Sequence, residues 1–371
     1  MVFDIKMLLR VFFALLTAGV LSLVLTPMVK ILAERFGAID VPKDDRRMHT
    51  EPIPRMGGLA IFLAFFLTAL LYLKVIDRQM QAVLLALTLI VVLGVLDDIY
   101  DLHPGIKLAV QITAACIIIF YGNIRIEKIT NPFGGEKSFF SLGVFSIPVT
   151  LIWIVAITNA VNFIDGLDGL ACGVSCITAI NMLVIALLVS ERNIAVIMAA
   201  LAGACLGFLP YNFNPAKIFM GDTGSTFLGF LLATVSIQGL FKAYAVVSVA
   251  VPFLLLGLPI FDISSAVIRR LAHGKNPMTA DRGHFHHKLI DLGLSQKQTV
   301  AVAYVLTAVL GLVTVLLTST GRMKTIIVVL AVAIVGMVGF QIFTSEQLRK
   351  HQKTEKPEQP SAPEETSDSE R

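Results

Sequence analysis

Long apolar runs dominate the chain and alternate with short polar connections. Eleven of these runs lack Asp, Glu, Lys and Arg, and each can cross a hydrocarbon core of about 30 Å as a helix. The pattern therefore predicts an all-α polytopic membrane protein with about eleven transmembrane helices. They are expected at roughly 11–29, 56–73, 79–96, 108–124, 142–164, 169–190, 193–216, 223–241, 243–261, 298–321 and 325–345.

Composition supports a membrane protein, because 56% of the 371 residues are apolar and only 15% are charged. Those values exclude an ordinary soluble globular domain of this length. The composition changes near the C-terminus to a stretch rich in Pro, Glu, Ser and Lys, which cannot bury a core. We therefore expect a transmembrane domain over 1–345 and a disordered cytoplasmic tail over 346–371.

The distribution of Lys and Arg among the connections predicts the orientation. Connections one (30–55) and nine (262–297) each carry six of these residues, and both follow odd-numbered spans. The positive-inside rule then places every odd-numbered connection in the cytoplasm, the N-terminus outside and the C-terminus inside. Three basic residues in connection four are a weaker contrary signal, and residues 125–141 there have the pattern of a small hairpin.

Acidic residues cluster in connections three and five. Span three ends with Asp97, Asp98 and Asp101 within one helical turn, where three like charges repel each other unless a cation is bound. Connection five reads NAVNFIDGLDGLA, with two amides and two carboxylates beside glycines that allow close approach of a ligand. A solvated helix end and an ordinary Asx turn are the alternatives for these two clusters.

A further carboxylate, Asp222, stands in connection seven directly before span eight, in the sequence MGDTGS. It is either a routine helix N-cap or a metal ligand beside a helix N-terminus that attracts phosphate.

Connections one and nine are basic. In connection one, VPKDDRRMHTEPIPRMGG is either an ordinary positive-inside loop or a phosphate site, for which Lys and Arg offer charge-assisted donors. In connection nine, DRGHFHHKL combines three histidines with Arg282 and Lys288. Neighbouring cations would repel a metal there, so an anion-binding role is favoured over a transition-metal site.

Together these clusters describe one site on the cytoplasmic face, with acid to hold a metal and base to hold phosphate. Carboxylates favour a hard cation, and Mg²⁺ takes only one or two of them beside waters and substrate phosphates. We therefore expect a donor that carries a diphosphate and an acceptor resident in the bilayer, and no nucleic acid.

The order of the motifs resembles the polyprenyl-phosphate N-acetylhexosamine-1-phosphate transferases, specifically the undecaprenyl-phosphate N-acetylglucosaminyl-1-phosphate transferase branch. The resemblance rests on RRMHTEPIPRMGG, the DD pair, NxxNFxDGxDGL, MGDTGS and HFHHK between about 26 and 318. It implies a bacterial plasma-membrane enzyme that transfers GlcNAc 1-phosphate from UDP-GlcNAc to undecaprenyl phosphate and releases UMP. Mg²⁺ is the implied cofactor, with Mn²⁺ as a substitute.

The resemblance also implies roles for individual residues. Asp97 and Asp98 would lie at the reaction centre, and Asp222 would bind the metal with support from Asp98. The nucleotide would contact Asn162, Asp165, Gly166, Leu167, Asp168, Asn212 and Phe219. The donor's phosphates and sugar would contact Arg46, Arg47, Lys107, Arg282, His284, His286 and His287.

Several questions stay open at this level. The polymer primed by the lipid product, such as teichoic acid, the choice of N-acetylhexosamine, and a homodimer as one assembly are not fixed by the sequence. Neither is the choice between direct attack and a covalent aspartyl intermediate. An intramembrane aspartyl protease would carry GxGD where this chain has FMGD, and a transporter would carry charges inside its spans.

Overall fold

The computed structural model describes residues 4–42, 51–130, 139–240, 250–272 and 285–318. Its helices are α1 (Ile5–Phe36), α2 (Gly58–Tyr72), α3 (Arg78–Tyr100), α4 (Pro104–Cys116), α5 (Ser146–Phe163), α6 (Leu170–Leu188), α7 (Arg192–Asn212), α8 (Gly221–Val235), α9 (Ala250–Leu255), α10 (Gly257–Ala272), α11 (Phe285–Asp291) and α12 (Gln296–Thr318). π-helical turns extend α4 to Tyr121 and α8 to Leu240, and a 3₁₀ turn at Gly143–Phe145 leads into α5.

Two short antiparallel ribbons complete the described structure. Strands β1 (Ile39–Asp40) and β2 (Ile53–Pro54) pair within connection one, which the sequence did not predict. Strands β3 (Lys128–Thr130) and β4 (Phe139–Ser141) pair within connection four. The small hairpin predicted over 125–141 is therefore confirmed.

The chain is a multi-pass helical bundle. Seven of the described helices are long and apolar enough to span a membrane, and α2 is a shorter apolar helix. Span nine lies partly, and span eleven wholly, outside the described residues, as does the tail over 346–371.

Within 250–272 the helix breaks at Leu256 and continues to Ala272, past the predicted end at 261. Pro259 explains the break, because it removes a backbone donor and clashes with the carbonyl four residues earlier.

Helix ends follow the local sequence signals. Asp4 and Asp77 cap α1 and α3 by accepting backbone N–H groups, and Pro104 occupies the first turn of α4. Helix α1 ends at Gly37, whose φ of 72° is the left-handed conformation that glycine adopts readily. These signals fix where each connection leaves the bundle.

Helix α7 is the centre of the bundle and α1 lies at its edge. In the most apolar stretch of α7, 83% of the residues are buried. The corresponding share in α1 is 22%, and α1 exposes many large apolar side chains. Lipid is the natural partner for such a surface. Helix α2 packs so closely on α8 that a Cβ at Gly58 would lie 2.0 Å from the Gly224 nitrogen. This contact brings connections one and seven together.

Candidate functional site

A cavity of about 400 Å³ opens at one end of the bundle. Connections one, three, five, seven and nine all contribute to it, as expected if they share one face of the membrane. Its lining is Asp40, Arg55, Asp98, Asn162, Asp165, Gly166, Leu167, Asp168, Asn212, Phe219, Gly221, Asp222, Ser225, His287 and Gln296. Five clusters that are far apart in the sequence therefore meet at one pocket.

One side of the site, which we call the charged wall, consists of Asp97, Lys107 and Asp222. The Lys107 ammonium bridges the two carboxylates, at 2.5 Å from Asp97 Oδ2 and 2.9 Å from Asp222 Oδ2. The other oxygen of Asp97 accepts the Leu102 N–H at 2.8 Å. Asp97 is 4% exposed and does not line the cavity, whereas Asp222 does. Lys107 therefore pairs with two carboxylates in this structure.

Asp98 caps helix α8 from another helix. Its Oδ1 accepts the Asp222 N–H at 3.0 Å, and its Oδ2 accepts both the N–H (3.1 Å) and the hydroxyl (2.6 Å) of Thr223. The N-cap position of α8 is Met220, which offers no side-chain bond. A negative group at a helix N-terminus is favourable. The alternative that Asp222 is a routine N-cap is therefore wrong, because Asp98 performs that task.

The approach of Asp98 to α8 depends on Gly221. This glycine has φ +71°, and a Cβ there would lie 2.5 Å from Asp98 Oδ2. An L-residue side chain would be strained in that conformation and would collide with the carboxylate. Glycine is therefore required where the two motifs DD and MGD meet.

A second polar group at the cavity, which we call the amide wall, consists of Asp168, Asn212 and Gln296, which line it, and Asn214, which bonds to two of them. The Asn214 amide donates to Asp168 Oδ2 at 2.9 Å and to Gln296 Oε1 at 2.7 Å. Asn212 accepts the Gly169 N–H and donates to the Ile218 carbonyl, each at 3.1 Å. The wall thus joins connections five, seven and nine through neutral groups and one carboxylate.

Asn162 and Asp165 also line the cavity. The Asn162 amide donates to the Ser225 hydroxyl at 2.9 Å, which ties connection five to α8. Burial, with the negative charges of Asp222, Asp98 and Asp168, raises the pKa of Asp165 to about 8. A cation bound in the cavity would lower this pKa, because it would favour the carboxylate form.

The structure assembles most of the sequence-predicted residues. Asp98, Asn162, Asp165, Gly166, Leu167, Asp168, Asn212, Phe219, Asp222 and His287 line the cavity, with Asp97 and Lys107 behind it. Arg46, Arg47, Arg282 and His284 lie outside the described residues, as does the side chain of His286. The alternative of a solvated helix end fits only Asp101, which is exposed, since Asp97 and Asp98 are buried.

No role in the site was predicted from the sequence for Thr223, Asn214 or Gln296, and the phosphate-binding interpretation of connection one did not single out Arg55. Thr223 directly follows Asp222 in the MGDTGS motif, and a Thr at a helix start was a usable signal. Asn214 precedes a proline in the run NFNPAK, which reads as an ordinary turn. Gln296 is a single polar residue at the start of a span, and no pattern in the sequence distinguishes it.

The residues present fit a hard divalent cation. Asp222 turns a carboxylate toward the cavity, and Asp98 lies beside it with both oxygens already engaged in hydrogen bonds. Among the described residues, no group of three or more His, Cys, Asp or Glu could hold a metal ion. Mg²⁺ commonly takes one or two protein carboxylates and completes its shell with water and substrate phosphate, so Asp222 is a donor of the kind that it uses. Transition-metal sites use more protein ligands.

Comparison with known proteins gives one consistent result. Residues 80–240 match the model of glycosyl transferase family 4. The chain is 41% identical over 298 residues to a probable undecaprenyl-phosphate N-acetylglucosaminyl 1-phosphate transferase of Bacillus subtilis, covering 80% of this chain and 82% of the relative. It is 39% identical to a decaprenyl-phosphate N-acetylglucosaminephosphotransferase of Mycolicibacterium smegmatis, covering 78% and 77%. A Thermotoga maritima undecaprenyl-phosphate alpha-N-acetylglucosaminyl 1-phosphate transferase is 33% identical, covering 72% and 78%.

Proposed function

The chain belongs to glycosyl transferase family 4, and from this membership we propose that it transfers GlcNAc 1-phosphate from UDP-GlcNAc to undecaprenyl phosphate. The products are undecaprenyl-diphospho-GlcNAc and UMP. The relatives described above are named as transferases of this type for undecaprenyl or decaprenyl phosphate.

The observation that carries the proposal is the meeting of a charged wall and an amide wall at one cavity in a membrane bundle. A soluble nucleotide sugar needs an aqueous pocket with polar contacts for its base, ribose and phosphates. A lipid phosphate needs access from the bilayer. The polar end of a helical bundle offers both in one place, which a soluble enzyme or a simple lipid-facing surface does not.

The amide wall and connection five bind the nucleoside in this proposal. Asn162, Asp165, Gly166 and Leu167 lie along the cavity, and the Phe219 ring offers a surface on which uracil stacks. Asp168 and Asn212 hold these loops in position, since their polar atoms are bonded to neighbouring backbone or side chains. His287, with the predicted His284 and His286, binds the phosphate and sugar portion.

The charged wall positions the reaction. An oxygen of the lipid phosphate forms a bond to the β-phosphorus of the donor, and the bond from that phosphorus to the bridging oxygen breaks, so UMP leaves. Asp97 lies behind the cavity and acts through Lys107, which holds Asp97 and Asp222 in one geometry for the acceptor phosphate. Such positioning accounts for a large part of phosphoryl-transfer catalysis. We favour direct attack over a covalent aspartyl intermediate.

Magnesium, with manganese as a substitute, is the cofactor in this proposal. When bound at Asp222 with support from Asp98, the ion supplies positive charge that offsets the charge developing on the transferred phosphoryl group.

The proposed setting is the bacterial plasma membrane, with the site on the cytoplasmic face where UDP-GlcNAc is available. The positive-inside distribution of Lys and Arg supports this orientation. The lipid product would be the first intermediate of a cell-envelope glycopolymer such as teichoic acid. A homodimer is compatible with the described surface, because α1 exposes an apolar face at the edge of the bundle.

Incubation of the purified chain in detergent with UDP-GlcNAc and undecaprenyl phosphate tests the proposal directly. We expect equal amounts of UMP and a lipid diphosphosugar, measured by mass spectrometry. EDTA should stop turnover, and added Mg²⁺ or Mn²⁺ should restore it. Hydrolysis of UDP-GlcNAc without a lipid product would contradict the transfer, and turnover that persists in EDTA would contradict the metal assignment.

A further inference from the structure

Arg55 is a cationic residue of the cavity that the function above does not use. It directly follows strand β2, and its backbone N–H donates to the Ala38 carbonyl at 2.9 Å. The flanking backbone is bound to connection seven, because Phe219 N–H donates to the Pro54 carbonyl at 2.8 Å and Gly57 N–H to the Phe219 carbonyl at 2.9 Å. The position of Arg55 is thus fixed from both sides.

The backbone conformation of Met56, the next residue, shows that the surrounding structure fixes the chain at this point. Met56 is 1% exposed and has φ +98°, a conformation that residues other than glycine rarely adopt. Such backbone conformations are strained and persist where the surrounding structure imposes them, often at ligand sites. The turn at Met56 directs Arg55 toward the cavity while the methionine side chain is buried.

The side chain of Arg55 is anchored by one of its five N–H groups. Its Nε–H donates to the Asp98 carbonyl oxygen at 3.0 Å, and the side chain lines the cavity. Among the described residues, no bond to its two terminal nitrogens is recorded, and Arg55 forms no ion pair with a carboxylate. The four terminal N–H groups keep the fork geometry that matches phosphate oxygens.

Arg55 is a positive charge among the carboxylates of the cavity. Five carboxylates line the cavity, and Arg55 is the one Lys or Arg of the described residues that lines it. Lys107 is already engaged with Asp97 and Asp222. A diphosphate entering this cavity would be repelled by these carboxylates, and a fixed cation beside the proposed Mg²⁺ would reduce that repulsion. We propose that Arg55 binds the diphosphate of the nucleotide-sugar donor through its terminal nitrogens.

This inference rests on the proposed function and adds a donor-binding residue to it. Arg55→Gln removes the charge but retains a polar side chain, and Arg55→Lys retains the charge without the fork. Arg125→Gln is the matched control, because Arg125 lies in connection four and pairs with Glu127. All three variants are made in the full chain, and wild-type turnover of UDP-GlcNAc is established first.

The test compares UMP with uridine, which differ only in the phosphate. In Arg55→Gln we expect the inhibition constant of UMP and the KM for UDP-GlcNAc to rise about 10- to 100-fold, as for loss of a charged hydrogen bond. The inhibition constant of uridine and the KM for undecaprenyl phosphate should change less than about threefold. Arg55→Lys should lie between the wild type and Arg55→Gln, and Arg125→Gln should match the wild type.

If Arg55→Gln turns over too slowly for inhibition measurements, the increase in the unfolding midpoint produced by UMP and by uridine gives the same comparison. Loss of the UMP effect with the uridine effect retained supports the inference. Equal weakening of UMP and uridine would show that Arg55 only supports the loop, and unchanged UMP binding together with an unchanged KM for UDP-GlcNAc would show no contact with either phosphate. Either result overturns the inference, whereas absence of wild-type turnover would instead count against the proposed function.

Discussion

The charged wall and the amide wall belong to the same site but differ in the kind of polar contact that holds them together. The charged wall holds three ionisable groups on α3, α4 and α8, joined by salt bridges through Lys107. The amide wall joins three connections through hydrogen bonds of Asn212, Asn214 and Gln296. One wall concentrates charge, and the other concentrates directional polar contacts.

This difference separates two tasks. Charge that is partly buried and tightly paired acts strongly on a transferring phosphoryl group, and removal of one partner leaves the others uncompensated. Amide contacts contribute less individually, because each neutral hydrogen bond adds roughly 1 kcal/mol net. The charged wall should therefore govern the rate of transfer, and the amide wall should govern binding of the donor.

Asp222→Asn tests the charged wall and carries the largest expected effect. The substitution keeps size and polarity but removes the carboxylate that faces the cavity and pairs with Lys107. We expect turnover to fall about 10³-fold, because both the proposed metal ligand and the partner of Lys107 are lost. Exchange of labelled UMP with UDP-GlcNAc in the presence of undecaprenyl phosphate measures the effect.

Asp101→Asn provides the matched control for this substitution. Asp101 is exposed and caps α3 with φ +53°, a conformation that asparagine also adopts. Its exchange rate should equal that of the wild type. Near-normal exchange in Asp222→Asn, or an equal loss in both variants, would end the distinction between the two walls.

The sequence predicted the charged wall better than the amide wall. Closely spaced carboxylates at the end of an apolar run are conspicuous, since neither helix termini nor the positive-inside rule accounts for them. The division of labour between Asp97 and Asp98 was not predictable in this way. It depends on the packing of α3 against α8, where Asp98 meets Thr223 and caps that helix.

The amide wall escaped prediction for a physical reason. Asn214 and Gln296 are 82 positions apart and acquire a role only when connections seven and nine meet. Arg55 was counted among the positive-inside residues, because composition does not show which cation faces a cavity. The helical membrane fold, by contrast, follows from the apolar runs alone. Span boundaries such as the break at Leu256 depend on local effects that hydropathy does not register.

Asn214→Ala tests the amide wall, with a smaller expected effect. The substitution removes the amide that donates to both Asp168 and Gln296. We expect the KM for UDP-GlcNAc to rise about tenfold with kcat changed less than about twofold, since two neutral or singly charged bonds are lost. Steady-state kinetics with saturating lipid phosphate measures both constants.

Asn193→Ala, in the first turn of α7, is the control and should leave both constants unchanged. A fall in kcat at constant KM would assign Asn214 to the chemistry and contradict the comparison.

The smallest effect is expected for Tyr304→Phe, which sharpens the comparison by separating stability from binding. The Tyr304 hydroxyl donates to the Gly169 carbonyl at 2.6 Å and so supports connection five behind the amide wall. Tyr72→Phe removes a similar bond, at 3.0 Å to Thr17, away from the site. Each variant should lose about 1 kcal/mol of stability, seen as a small decrease in Tm. Only Tyr304→Phe should also raise the KM for UDP-GlcNAc, by about two- to threefold, because it removes a bond that holds connection five in position. Equal donor KM values in the two variants would mean that connection five keeps its shape without this bond.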